Sequence, residues 1–219
     1  DKKKLTLKMQ IRQEYYRVKE LLDGKRPSRM GLFTYMDDEI YRICVSGSHA
    51  KENPFQHYLD FLYELGELSE DEQELYAGIG REFIQTIETT EMQKVYKMPI
   101  LYSFYNHGNI RLAVTDEEVL ESWKEFFDTG TNWKDFPNVN TYEDYKKVTD
   151  KQHLSKAKRM PIRFLKASGK GFFVEKDGYA LALRDEIGEV VGNMAFGEQM
   201  GDVLGYRSLE YYRRRYEKK

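Results

Sequence analysis

Apolar side chains recur at every third or fourth position through the first half of this chain, which is the spacing of one face of an α-helix. The segments with this pattern are 8–23, 30–45, 55–66 and 70–90. Gly24 and Gly66 follow the first and third segments as stop signals. Ser69 suits the N-cap of the fourth, where three early acidic residues favour the positive end of the helix dipole. The first half is therefore predicted to be helical.

The pattern changes in residues 97–114, where the apolar runs become short. Asn106–Asn109 has the composition of a turn, preceded by a strand or a short helix and followed by a candidate strand at Ile110–Val114. Thr115 and Glu118 then have the spacing of a capping box, which predicts that a helix begins there.

Residues 130–140 read as a loop or linker, and we place a soft domain boundary within them. This boundary separates a mainly helical domain with acidic helices, 1–138, from a basic helix-hairpin-helix module, 139–219. The two can still pack as one unit.

The C-terminal module is predicted to combine short helices with a β-hairpin. The helices are expected over 142–148, 154–159, 162–167, 187–204 and 208–216, and the strands over 172–176 and 179–183. Pro161 is expected to interrupt the helical structure before the third of these helices and to serve as its first residue. Asp177-Gly178 is the strongest two-residue hairpin signal, and the register it implies pairs Val174 with Leu181.

Together these elements predict an α+β fold that is predominantly α-helical, with a small C-terminal β-hairpin. Two helices, a short helix and then a hairpin follow the order of a winged-helix module, in which one helix enters the major groove and the hairpin rests on the backbone. The 219 residues suffice for one domain with an appendage or for two small domains. A hydrophobic content of 40% is enough to build a core.

A net charge of −2 conceals a polarised distribution. Residues 60–91 contain ten acidic residues and one arginine, a net charge of −9. Residues 146–170 contain nine basic residues and one acidic residue, a net charge of +8, and residues 207–219 carry +4. This asymmetry favours contact between the basic third and a polyanion. The alternative is that the acidic and basic parts face each other or simply face water.

The phosphate backbone of DNA or RNA is the expected partner of the basic segments. The candidate binding residues are Lys156, Lys158, Arg159, Arg163, Lys166, Lys170, Arg213, Arg214 and Arg215. Arg163, Lys166 and Lys170 recur at three- and four-residue spacing, so they can line one helix face while Ile162 and Leu165 turn to the core. The tyrosines and arginines of the tail are typical either of a surface that stacks on unpaired bases or of an amphipathic end helix, and we favour the helix.

No catalytic signature is present in the sequence. The phosphate-binding pattern G-x-x-x-x-G-K-[ST] is absent, and the four histidines lack metal-ligand spacing. Asp135 and the later Asp144-Tyr145-Lys146 can be aligned with the metal site of a nuclease, but they are predicted to lie in a loop and a helix rather than on adjacent strands. We expect no cofactor, no metal and no enzymatic activity of this chain alone, with a metal-dependent nuclease as the weaker alternative.

The compartment is predicted from the cysteine count and the apolar runs. The single cysteine, Cys44, lies among apolar neighbours and is expected to be a small core residue. No apolar run approaches the ~18–20 residues that span a bilayer, and the first ten residues lack the hydrophobic stretch of a signal peptide. We expect a cytoplasmic protein without membrane contact. The lysine-rich start after Asp1 reads as a linker within a longer protein.

Four stretches carry a resemblance to a known family. They are LLDGKRPSRMGLFTYMDDEIY, KMPILYSFYNHGNI, GKGFFVEKDGYALAL and YRSLEYYRRRY. The sequence of these stretches resembles the C-terminal region of some bacterial superfamily II helicases, large ATP-dependent proteins of the DEAD/DEAH-box or type III restriction Res-subunit kind. The ATP-binding motifs of that family lie in a helicase core that this sequence does not contain, so no catalytic residue is carried over. The resemblance implies a helper domain that touches nucleic acid or docks on the motor.

Two functions follow from these observations. The first is a nucleic-acid-contacting accessory domain of an ATP-dependent helicase or restriction-type enzyme. The second is a docking domain, whose acidic helices and basic surface contact other domains of a larger parent protein without nucleic acid.

Overall fold

The computed structural model describes residues 5–217 and divides the chain into two compact units, Asp1–Thr89 and Thr90–Lys219. The division therefore does not fall at the boundary between residues 138 and 139 that the sequence suggested. The physical reason is packing across that boundary. The indole N–H of Trp123 donates to Nδ1 of His153 over 3.2 Å, and the hydroxyl of Tyr211 donates to Asp135 over 2.8 Å. Residues 90–138 belong with the basic C-terminal part.

The first unit is made of helices joined by short turns, except for a longer connection over residues 45–57 that contains two 3-10 turns. They are α1 (Leu7–Leu21), α2 (Arg29–Tyr35), α3 (Asp38–Cys44), α4 (Tyr58–Glu64), α5 (Glu70–Ala77) and α6 (Ile79–Thr89). The segment 30–45, predicted as one helix, is two, because the carboxylate of Asp37 accepts from the N–H groups of Glu39 and Ile40 and starts a second helix. Ser69 caps α5 in a full capping box, which confirms the predicted N-cap.

A buried ion pair lies in the core of the first unit. Nε of Arg29 is 3.0 Å from the carboxylate of Glu88, and both side chains are almost inaccessible to solvent. The same carboxylate accepts the backbone N–H of Tyr58 at 3.1 Å. Burial raises the pKa of Glu88, and the neighbouring guanidinium opposes that rise. Cys44 is fully buried, as expected, and burial raises its pKa to about 12.

Several acidic residues of the first unit already have basic partners within it. These pairs are Asp60 with Arg81, Glu64 with Arg12, Glu67 with Lys19 and Glu72 with Arg26. Part of the charge of −9 in residues 60–91 is therefore balanced locally.

The second unit combines helices with a small sheet. Its elements are α7 (Lys97–Tyr105), β1 (Ala113–Val114), α8 (Asp116–Asp128), α9 (Tyr142–Lys146), α10 (Asp150–Ala157), α11 (Arg163–Ser168), β2 (Phe173–Val174), β3 (Leu181–Leu183) and α12 (Met194–Tyr216). Thr115 and Glu118 form the predicted capping box of α8. The predominantly helical α+β fold is confirmed. Among residues 5–217, no helix combines the length and apolar character that crossing a bilayer requires.

The three strands form an antiparallel sheet in the order β1-β3-β2, so the predicted hairpin gains a strand from before α8. Val174 pairs with Ala182, and the predicted pairing with Leu181 is wrong by one residue. The turn keeps the two predicted central residues, and the shift arises because three steps separate Tyr179 from Ala182 whereas two separate Lys176 from Val174. Gly178 has φ +82° while Asp177 is not left-handed, and the N–H of Tyr179 donates to the carbonyl of Lys176 over 3.1 Å. This is type II geometry, which splays the strands instead of continuing their twist.

The C-terminal helix α12 is continuous over 23 residues, although two helices were predicted. Glycines inside it are used for close packing. A Cβ on Gly201 would lie 2.4 Å from the hydroxyl oxygen of Tyr105, so a larger residue there would require the Tyr105 ring on α7 to move.

Candidate nucleic-acid interface

The basic segment Lys156–Lys170 lies on one nearly continuous helical run. α10 passes into α11 through a π-helical turn, Lys158–Ile162, where a break had been predicted. Pro161 has no N–H to donate to the preceding turn and its ring crowds the carbonyl there, and the wider turn accommodates both effects. The helix therefore bulges at Pro161 without ending.

One side of this run packs into the core of the second unit. His153, Ala157, Ile162 and Leu165 are buried, which confirms the predicted inward orientation of the last two. Nδ1 of His153 accepts the hydrogen bond from Trp123, so this nitrogen carries no proton in the folded protein. Burial lowers the pKa of His153. The opposite side of the run consequently faces solvent.

Three of the predicted cations stand on the solvent side without an ion-pair partner among the described residues. They are Arg159, Arg163 and Lys170. Arg159 and Arg163 are about one turn apart on the helix. Lys170 follows Gly169, which ends α11, and has a left-handed backbone with φ +53°. These three side chains form what we call the open basic face.

The other three cations of the segment have partners. Nζ of Lys158 lies 2.6 Å from the carboxylate of Asp116, and Nζ of Lys166 lies 2.9 Å from that of Glu175. The ammonium of Lys156 lies 5.6 Å from the centre of the Tyr96 ring. The Glu175 side chain is 84% exposed, so water screens its pair with Lys166 and that lysine can exchange partners readily. Lys166 borders the open basic face.

Two exposed apolar side chains lie beside the open basic face. Met160 is 38% exposed and Phe164 is 44% exposed, and each directly follows one of the two arginines. The sequence analysis did not single them out. The available signal was the repeat of an arginine and an apolar residue at 159–160 and again at 163–164, with a four-residue period.

The three arginines of the tail are engaged by carboxylates. Nε of Arg214 is 2.8 Å from Glu210, Nε of Arg213 is 3.9 Å from Glu217, and Nε of Arg215 is 3.3 Å from Asp135. These contacts fit the amphipathic end helix that we favoured. The structure does not bring the tail arginines into the open basic face as additional unpaired cations.

Asp135 anchors the tail helix. Its carboxylate is buried and accepts hydrogen bonds from the hydroxyl of Tyr211 at 2.8 Å, from that of Tyr216 at 2.7 Å and from the N–H of Val95 at 3.1 Å. Burial and the hydrogen bond to Asp135 raise the pKa of Tyr216 to about 12, so its hydroxyl remains a donor near neutral pH.

The same contacts bear on the nuclease alternative. The carboxylate of Asp135 is committed to three donors, while Asp144 lies on exposed α9. Within the part of the chain that the structure describes, no group of three histidine, cysteine or acidic side chains is arranged to hold a metal ion. The geometry therefore offers no support for a nuclease site.

No protein-family model, no curated protein and no solved structure matches this chain.

Proposed function

We propose that the second unit contacts the phosphate backbone of nucleic acid through the open basic face. The observation that carries this proposal is the set of Arg159, Arg163 and Lys170, which are solvent-exposed and free of carboxylate partners among residues 5–217. A guanidinium that has no ion-pair partner within the protein can bind a phosphate without first breaking an ion pair. Arginine and lysine contacts to phosphate fix the position of a protein without reading the sequence of bases.

The order of elements in the second unit supports the winged-helix interpretation. The helical run that carries the open basic face is followed directly by β2 and β3. In a winged-helix module, this helix would enter the groove and the ribbon would lie along the backbone. Lys176 sits in the turn of the ribbon, with its ammonium 5.1 Å from the centre of the Tyr179 ring. It could therefore add one more phosphate contact.

Two double variants with equal loss of charge test this interface. R159S/R163S removes two unpaired arginines of the open basic face, and R213Q/R214Q removes two arginines that have carboxylate partners. Both reduce the charge by two, so any long-range effect of net charge is the same. Affinity is measured by fluorescence anisotropy with a labelled mixed-sequence duplex and with a single strand at low salt.

We expect R159S/R163S to weaken binding by about tenfold or more, because two charge-assisted phosphate contacts are lost. The R213Q/R214Q protein should bind within about twofold of the wild type, because its arginines do not lie on the interface. Equal losses in both variants would show that only net charge matters, and no binding by the wild-type chain would refute the proposal outright.

A docking domain is the second candidate, and the exposed Met160 and Phe164 favour it. An apolar pair beside two arginines is a surface that an acidic partner domain can cover. The variant M160S/F164S distinguishes the two functions. It should leave backbone binding nearly unchanged if phosphate contact is the function, whereas it should abolish association with a parent protein if docking is the function.

The resemblance to superfamily II helicases supports the further proposal that this chain works beside an ATP-driven motor. The reading frame upstream of Asp1 tests this directly. Helicase motifs in that frame would support the proposal, and an unrelated upstream domain would contradict it.

A further inference from the structure

A cavity of about 280 Å³ lies in the second unit. Its lining residues come from segments other than those of the open basic face, and most of its charged side chains are carboxylates. It is bounded by α7 and the turn after it, by α8 and by α12. Its volume is close to the lower end of the range for small-molecule sites, which is about 300 Å³. It therefore suits a ligand the size of one side chain.

One wall of the cavity is aromatic. Tyr102 forms its centre, with its ring centroid 6.2 Å from that of Tyr105 and 6.0 Å from that of Phe126. Its phenol is neutral near neutral pH, and burial raises the pKa of Tyr102 further. Tyrosine faces of this kind attract organic cations through the ring quadrupole.

The facing wall carries carboxylates on one side of α8. Glu118, Glu121 and Glu125 are spaced by three and four residues, so they lie on one helix face. Arg111 neutralises Glu118 at 2.7 Å. Glu121 has no hydrogen-bond or ion-pair partner among the residues the structure describes. Glu125 is 3.4 Å from Nε2 of His107. The cavity consequently has an excess of negative charge.

The turn after α7 is built to hold this arrangement. Asn106, His107 and Gly108 all have positive φ, at 47°, 53° and 94°. Left-handed backbone is unfavourable for non-glycine residues, so surrounding contacts must stabilise this turn. The side-chain amide of Asn106 donates to the carbonyl of Asn109 at 2.9 Å. Gly201 on α12 leaves the space that the Tyr105 hydroxyl occupies. The turn directly follows Tyr105, and Gly201 accommodates the hydroxyl of that ring, so the position of Tyr105 in the aromatic wall is defined from both sides.

We infer that this cavity binds an organic cation, with the guanidinium of an arginine side chain as the best fit. A planar guanidinium can stack on the Tyr102 ring, with the Tyr105 ring nearly perpendicular to it at 69°, while its N–H groups reach Glu121 and Glu125. Charge complementarity selects this class, since the open carboxylates would repel a phosphate. The site is independent of the proposed nucleic-acid contact.

Titration with Nα-acetyl-arginine amide, followed by two-dimensional NMR of the labelled protein, tests the inference. Nα-acetyl-citrulline amide is the matched neutral probe, because it has nearly the same shape but carries a urea in place of the guanidinium. We expect the arginine probe to saturate and to shift resonances of residues 102–108 and 118–126. The citrulline probe should bind at least about tenfold more weakly, which corresponds to one lost charged hydrogen bond.

The variant E121Q/E125Q should weaken arginine binding by a similar factor. E117Q, an exposed glutamate on the same helix that does not line the cavity, should leave it unchanged. Equal binding of the arginine and citrulline probes would overturn the inference, as would unchanged binding by E121Q/E125Q. Absence of resonance shifts with the arginine probe at millimolar concentration would overturn it as well.

Discussion

Replacing Asp135 by asparagine tests whether the tail helix is anchored structure, as its contacts indicate. The carboxylate accepts from two tyrosine hydroxyls and one backbone N–H, and its ion pair with the partly exposed Arg215 adds little because water screens it. A charged acceptor strengthens each hydrogen bond by about 1 kcal/mol over a neutral one, so three donors would lose about 3 kcal/mol. Relief from burying a charge returns part of this loss. We expect D135N to lower the free energy of unfolding by about 2 kcal/mol.

Urea unfolding followed by tryptophan fluorescence measures this change, because Trp133 is two residues from Asp135 and Trp123 lies in the same unit. A loss of about 2 kcal/mol moves the midpoint by about 1 M for a typical urea dependence. D144N is the control, since Asp144 is exposed on α9, and its midpoint should match the wild type. A D135N midpoint equal to that of D144N would refute the anchoring role. Unchanged hydrogen exchange over residues 210–217 in D135N would refute it too.

Three further predictions concern buried groups and close packing. R29M should lower the free energy of unfolding by about 3–5 kcal/mol, because it removes the buried cation that pairs with the carboxylate of Glu88. In urea unfolding, R29M/E88L should recover most of that loss. A cost below about 1 kcal/mol for R29M would contradict this prediction. The contribution of His153 to stability is complete above about pH 6.5 and should be lost as the pH falls towards its lowered folded pKa, because the unfolded chain protonates this imidazole while burial keeps it neutral in the folded protein. His57, whose pKa burial also lowers, adds to the same pH slope. Each histidine contributes at most ~1.4 kcal/mol per pH unit. A His153→Asn protein with the same pH slope would exclude this assignment. G169A should lower the free energy of unfolding by about 1–3 kcal/mol, since its Cβ would lie 2.4 Å from the phenyl ring of Phe173. A Cβ at Gly192 meets open space, so G192A should leave stability nearly unchanged. Equal melting temperatures of the two variants would contradict the packing argument.

Local chemistry in the sequence predicted local structure well. The capping residues Ser69 and Thr115 act within one turn of the chain, so their roles follow from sequence alone. Pro161 was recognised as a helix disturbance, but whether a proline ends a helix or bulges it depends on packing around the helix. The position of β3 likewise depends on β1, whose Ala113 pairs with Ala182, 69 positions further along the chain.

The candidate site was predictable only in part. The outward placement of Arg163 follows from helix periodicity, whereas the partners of Lys158 and Arg215 come from distant segments. The sequence offered nine candidate binding residues, and the structure leaves Arg159, Arg163 and Lys170 without ion-pair partners among the described residues, with Lys166 beside them. The sequence shows where charged residues occur, but contacts with distant segments decide which of them remain without an ion-pair partner.

The salt dependence of nucleic-acid affinity tests the central claim most directly. Each phosphate contact contributes a slope of about −0.9 in log K against log salt concentration for duplex DNA. Four contacts from the open basic face and Lys166 predict a slope between about −3 and −4, and R159S/R163S should reduce its magnitude by about two. A wild-type slope near zero, or an unchanged slope in R159S/R163S, would contradict the account.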